Sequence, residues 1–220
     1  MNVEAVLFDL DGTLLDTAPD FELAINLVLS EEGMPPLNQD TIRMHVGNGS
    51  AGIICNVFNI LRDDPAFLRL QQSLLAHYKA NLTNRTHMFP GLETSMNLLE
   101  TRNIAWGVVT NKPSEYAAPI MQSLLPDSQV LVCPDHVEKP KPDPEGILLA
   151  CREINAAAER CLYIGDHLRD IQAGQAAGTP TIAVGWGYIG SEESHTEWSA
   201  DWTADNPADL APLLQTIFDS

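Results

Sequence analysis

Val6-Leu7-Phe8-Asp9-Leu10-Asp11-Gly12-Thr13-Leu14-Leu15-Asp16-Thr17, near the start of the chain, governs the reading of everything that follows. An apolar run stops at two carboxylates one residue apart, and Gly12 and Thr13 then supply a turn. The stretch reads as a buried strand ending in a loop. Like charges held that close repel, and burial raises their pKa. Such a pair is tolerable where a cation sits between them or where one stays protonated. The alternative is an ordinary strand-end turn with one capping Asp, and the rest of the chain decides between the two.

Working outward, Val3 to Asp9 is apolar enough to be covered on both faces, as inside a parallel sheet. Residues 16–86 carry no strand signal and read as helices. Asp20 caps one that bears Phe21, Ala24, Ile25, Val28 and Leu29 and ends at Gly33 with Pro35 and Pro36. Asp40 or Thr41 opens another that ends at Gly47, a third runs from Gly49 to Leu61, and Asp64-Pro65 opens a fourth reaching Asn81. A block of about seventy residues is far longer than a normal βα connection, so it reads as an inserted domain.

After Phe89-Pro90-Gly91 helices and strands alternate. Strands are expected at 104–110, 130–133, 161–165 and 181–184, with helices at 93–100, from 113, up to 154, at 169–177 and from Pro207. Residues 185–202 read as irregular. The expectation is a doubly wound α/β core with a parallel sheet, built from residues 1–15 and 87–220, with a helical insert at 16–86.

Twelve Lys and Arg against thirty Asp and Glu in 220 residues leave a net charge of −18, which argues against nucleic acid or an anionic membrane as partner. Glu4 and Asp9 bracket the early apolar run, which therefore reads as a strand rather than a secretory signal. No stretch has the length of a membrane span, and cytoplasm is the expected compartment. Cys55, Cys133, Cys151 and Cys161 lack metal-site spacing and read as small buried hydrophobes.

In a parallel sheet, ligands bind beyond the carboxyl ends of the strands. Four groups of polar residues fall there: Asp9 with Asp11, Thr110, the loop holding Lys139, and Asp166 with Asp170. Carboxylates for a hard cation, a hydroxyl and a lysine suit a phosphoryl group bridged to Mg2+. Thr110 also fits a helix cap, Lys141 competes with Lys139, and the two late carboxylates also fit as caps.

The segments FDLDGTLLDT, VVTNK, EKPKPDP and YIGDHLRD, in that order over essentially the whole chain, resemble the four motifs of the haloacid dehalogenase superfamily. The helical block resembles that family's C1 cap, and the core would be its HAD-like, Rossmannoid sheet. The resemblance implies a phosphatase in which Asp9 is the nucleophile and Asp11 the general acid and base. Thr110 and Lys139 would bind the phosphoryl group beside Asn111, with Lys139 chosen because it precedes Pro-x-Pro. It further implies Mg2+ held by Asp9, Asp11, Asp166 and Asp170. In the cap, Arg43 and the loop containing Gly47, Asn48 and Gly49 are candidate substrate binders, since N–H groups leading into a helix suit an anion.

A small phosphorylated metabolite is the implied substrate. WGVVTNKP, VLVCPDHV, LLDTAPDF and WGYI resemble the N-acetylmuramic acid 6-phosphate phosphatase branch more than the phosphoglycolate phosphatase branch. A dehalogenase would have no use for Asp11, Asp166 and Asp170 together. A phosphoglucomutase-like phosphotransferase would keep all four motifs.

Overall fold

The computed structural model describes residues 2–190 and 194–220. In chain order the elements are β1 (Ala5–Phe8), β2 (Leu15–Asp16), α1 (Ala18–Glu31), α2 (Gln39–Val46), α3 (Gly49–Phe58), α4 (Phe67–Ala80) and β3 (His87–Met88). These are followed by α5 (Glu93–Arg102), β4 (Ala105–Val109), α6 (Ser114–Leu124), β5 (Leu131–Val132), α7 (Glu145–Glu153) and β6 (Cys161–Gly165). The chain closes with α8 (Leu168–Ala177), β7 (Thr181–Val184), β8 (Trp202–Ala204) and α9 (Pro207–Phe218).

Six strands form one sheet in the order β5-β4-β1-β6-β7-β8. Every neighbouring pair in it is parallel. The chain runs from β1 outward through β4 and β5, returns to the other side of β1, and runs outward again through β6, β7 and β8. This is the doubly wound arrangement expected from the alternation of elements, with its switch point at β1. β1 and β6 are buried along their whole length because neighbours and helices cover them on all sides. One core cluster packs Leu7, Val109, Val132, Tyr163 and Ala173 against Ile147 and Ala150 of α7.

The chain divides into two compact units, Met1–Leu15 with Met88–Ser220, and Asp16–His87. The second unit holds α1 to α4. Phe21, Ala24, Ile25, Val28 and Leu29 of α1 are buried at the helical spacing that the sequence predicts. Phe21 stacks on Tyr78 of α4 with ring centroids 3.8 Å apart. The Asn26 side chain pairs with both backbone groups of Leu37, at 3.0 and 2.8 Å, and so fixes the turn that ends α1.

Two local expectations are corrected. Asp20 does not cap α1; the helix starts two residues earlier, with Pro19 in its first turn. The fully buried Asp20 carboxylate instead accepts from the N–H groups of Arg85 and Thr86 and from the Thr86 hydroxyl, at 2.8, 3.0 and 2.6 Å. Similarly, Asn38 rather than Asp40 or Thr41 is the N-cap of α2, accepting from Thr41 N. The strands β2, β3 and β8 had no sequence signal, because two or three residues are too few to show a period. Residues 191–193 of the irregular stretch lie outside the described residues.

The bonds at Asp20 tie the last residues of the helical unit to its first helix. Asp20→Ala leaves the buried N–H and hydroxyl of Thr86, and the part-buried N–H of Arg85, without their acceptor and is expected to cost about 2–4 kcal/mol. Urea unfolding measures this, and a loss below about 0.5 kcal/mol would show that the bonds contribute little.

Candidate active site

Parallel pairing aligns Phe8 of β1 with Val108 of β4 and with Ile164 of β6. Asp9 therefore stands level with Val109 and Gly165, the last residues of β4 and β6, and the residues that follow the three adjacent strands fall at one edge. Asp9 N donates to Ile164 O at 2.9 Å, which fixes the backbone from which its carboxylate projects.

The lysine that reaches this carboxylate is Lys141. Its Nζ lies 2.8 Å from Asp9 Oδ1 and 2.7 Å from Asp170 Oδ1, and its side chain is 2% exposed. Nζ also donates to Val109 O and to Tyr163 Oη, both at 2.9 Å. An ammonium has three protons. With Val109 O, Tyr163 Oη and Asp170 Oδ1 as acceptors all three are committed, which explains why the buried Asp9 Oδ1 accepts no aligned hydrogen bond.

Lys139, the lysine expected from the sequence, is exposed, and its backbone N–H donates to Glu145 Oε2 at 3.0 Å. The segment contains two overlapping Lys-Pro-x-Pro frames, starting at 139 and at 141, and only the second is held at the sheet edge. Asn111 makes the choice. Its Oδ1 accepts from Lys141 N at 3.1 Å and its Nδ2 donates to Lys141 O at 2.9 Å. Asn111, expected to bind substrate, is placed by the structure as a clamp on the lysine's backbone.

Asp166 follows β6 and is held from both sides. Thr13 Oγ1 donates to its Oδ1 at 2.9 Å and Tyr188 N donates to its Oδ2 at 2.8 Å. Gly12 and Gly187 flank it, and a Cβ on either would fall 2.2 Å from Oδ2. Gly12 also has φ +85°, so both conformation and space require glycine in the opening turn. Trp186 Nε1 donates to Thr13 O at 3.1 Å, binding the loop after β7 to that same turn. The sequence had no signal for this contribution from the 185–202 stretch.

Thr110, buried at the end of β4, accepts from Lys112 N through Oγ1 at 3.1 Å. Asp11 turns its Oδ1 to Lys112 Nζ at 2.7 Å. It stands apart from the carboxylate cluster of Asp9, Asp166 and Asp170, in which one oxygen from each residue lies within 4.8 Å of the others. Asp11, expected from the resemblance as a further metal residue, is placed by the structure in that ion pair and outside the group of three. Lys112 was not singled out in the sequence, where it reads as one more loop lysine. Asp170 sits in the first turn of α8, fully buried, and its Oδ2 accepts from His167 N at 3.1 Å.

Burial raises the Asp9 pKa, Lys141 pulls it back, and the balance is about 6. Burial, with Asp9 and Asp170 adding repulsion, pushes Asp166 up to about 8. Burial opposes charge on Lys141, yet the carboxylates of Asp170 and Asp9 outweigh it and hold its pKa well above the ordinary value. Three converging carboxylates, a buried oxygen without an aligned donor and one compensating ammonium fit a hard divalent cation, which would relieve the remaining repulsion.

The candidate cap residues belong to the helical unit. Arg43 Nη1 lies 2.6 Å from Asp16 Oδ2. Gly47 is the C-cap of α2, Asn48 is exposed at the N-cap of α3 without a side-chain cap bond, and Gly49 is the first residue of α3.

This geometry agrees with comparison to known proteins. The model of the haloacid dehalogenase-like hydrolases matches residues 6–184. The chain belongs to this family. N-acetylmuramic acid 6-phosphate phosphatase of Pseudomonas aeruginosa is 42% identical over 216 residues, 97% of this chain and 96% of that protein. A phosphoglycolate phosphatase of Xanthomonas campestris is 40% identical over 209 residues, 94% of each chain. The crystal structure of a predicted phosphoglycolate phosphatase from Haemophilus somnus superposes with a TM-score of 0.83, at 24% identity, over 98% of this chain and 99% of that one. These relatives place the chain among the phosphatases of the haloacid dehalogenase-like family.

Folding takes up protons at Asp9 and Asp166, because their folded values of about 6 and about 8 exceed the ordinary 3.8. That stability is fully present below pH 3.8 and is lost as pH rises through 6 and then 8. In EDTA the melting temperature is expected to fall between pH 5 and 9. Added Mg2+ is expected to raise it more at high pH, since the ion binds the ionised carboxylates. A cation increment that does not grow with pH in differential scanning calorimetry would refute this link.

Proposed function

We propose that this enzyme is a Mg2+-dependent phosphomonoesterase that works through an aspartyl phosphate on Asp9. The observation that carries the reading is the convergence of Asp9 with Lys141, Asp166 and Asp170 at one edge of the sheet, with Thr110 and Asp11 at neighbouring strand ends. Asp9 attacks phosphorus, a bond forms to its carboxylate oxygen, and the ester P–O bond breaks. Asp11 protonates the departing oxygen, then takes a proton from the water that hydrolyses the aspartyl phosphate. The positive charge of Lys141 offsets the charge that builds on the phosphoryl oxygens, and the Thr110 hydroxyl donates to one of them. Mg2+ held by Asp9, Asp166 and Asp170 would supply Lewis-acid neutralisation at those oxygens. Local positive charge is what admits an anion to a chain of net charge −18.

The proposed substrate is N-acetylmuramic acid 6-phosphate, in recycling of cell-wall sugar, on the strength of full-length relatives of that name at 42% and 40% identity. The second reading is 2-phosphoglycolate, favoured by relatives named for it at 40% identity. In both cases the substrate is a small phosphorylated metabolite. Among the described residues no helix is long and apolar enough to cross a membrane. The proposed location is the cytoplasm. Arg43 and the loop of Gly47, Asn48 and Gly49 remain the proposed source of discrimination, and Arg43→Ala serves to test it.

Asp9→Asn is expected to abolish turnover. Lys141→Met should lower kcat by about 10²-fold or more, the usual loss when a group that stabilises developing charge is removed. Lys139→Met should leave kcat within about twofold, as for most surface changes. Steady-state assays on one preparation decide between the two lysines, and the reverse order would refute the assignment. Comparing kcat/KM for the two phosphates identifies the substrate; equal values would defeat the preference for the sugar phosphate.

A further inference from the structure

Lys112 has no role in the reaction as written, yet its side chain is only 5% exposed, with Nζ 2.7 Å from Asp11 Oδ1. Its own backbone N–H donates to Thr110 Oγ1 at 3.1 Å. One residue from the loop after β4 therefore touches the side chain of Thr110 and reaches back to the loop after β1. Burying an ammonium is costly unless it is paired, so a lysine that is merely solvating the surface would not be enclosed in this way.

Asp11 needs such a partner. It sits in a loop with its side chain 21% exposed, where its carboxylate has two soft torsions. Proton transfer requires the donor oxygen within about 2.6–3.2 Å of the atom it protonates, and small misplacements are expensive in rate.

We propose that Lys112 is a positioning residue for proton transfer, holding Oδ1 of Asp11 so that the carboxyl group presents Oδ2 to the leaving-group oxygen. The proposal rests on the reading of Asp11 as general acid and base. In the first half-reaction the ester P–O bond breaks and the departing oxygen takes the proton from Asp11 Oδ2. In the second, attacking water returns a proton to Oδ2 as the bond between phosphorus and Asp9 breaks. Lys112 keeps all its protons throughout.

Leaving-group dependence tests this. The alkyl substrate is whichever of N-acetylmuramic acid 6-phosphate and 2-phosphoglycolate the wild type hydrolyses faster, and the aryl substrate is p-nitrophenyl phosphate. kcat/KM covers the steps through ester cleavage, where an alkoxide needs a proton and p-nitrophenolate does not. Lys112→Met is expected to lower kcat/KM for the alkyl phosphate about 10- to 100-fold, part of the usual worth of a general acid. The aryl phosphate should lose less than about threefold, with Lys112→Gln between wild type and Lys112→Met on both.

The alkyl-to-aryl ratio does not depend on the folded fraction, so partial misfolding leaves the readout intact, and the Gln variant carries the test should the Met variant fail to fold. Equal losses on both substrates, or none, overturn the proposal. Asp11→Asn measured alongside separates the two readings. A non-selective loss there overturns the acid–base reading of Asp11 and this proposal with it; a selective loss that the Lys112 variants do not share overturns the role of Lys112 alone.

Discussion

The ammonium of Lys141, shared between Asp9 and Asp170 in the interior, is the interaction on which the active edge of the sheet depends. Parallel pairing of β1, β4 and β6 brings carboxylates from separate segments to one place, and without a counter-charge that convergence would be strongly unfavourable. Lys141 offsets part of it. Its three protons go to Val109 O, Tyr163 Oη and Asp170 Oδ1, and Asp9 Oδ1 keeps a charge contact without an aligned bond. The candidate nucleophile is thus held beside a cation while its oxygen is not tied down. Burial, with repulsion from the neighbouring carboxylates added, keeps the pKa values of Asp9 and Asp166 raised, and a divalent ion suits the site because it would favour their ionised forms.

Around that centre the supporting contacts come from residues with no chemistry of their own to advertise. Asn111 holds the backbone of Lys141, Thr13 and Tyr188 N hold Asp166, and Trp186 holds the turn that carries Thr13. Gly12 and Gly187 are there because a methyl group at either position would occupy the space of the Asp166 carboxylate. The site is preorganised by packing and hydrogen bonds that span the whole core unit, from the first strand to the loop after β7.

What sequence reading captured and missed follows one division. Motif order, the alternation of helix and strand, and the burial pattern of α1 all express local periodicity or residue type, and each was legible. The lysine was misassigned because Lys139 and Lys141 both precede Pro-x-Pro, and local sequence cannot say which frame reaches the sheet. Asp20 was read as a cap because its donors lie more than sixty residues away, at Arg85 and Thr86. Arg43 was read as a candidate substrate binder, and its ion pair with Asp16, 27 positions earlier in the chain, had no local signal. Lys112 was passed over for the same reason, since its partner Asp11 lies 101 residues earlier.

The sequence by itself determined the family, the doubly wound sheet and the carboxylates Asp9, Asp11, Asp166 and Asp170, because residue type and strand-end position are local properties of the chain. Only the tertiary structure decided which of them cluster, which lysine meets them and which pairs with Asp11. Those outcomes depend on parallel register between distant strands and on a few hydrogen bonds that choose one loop frame over another, and neither is encoded within any single segment.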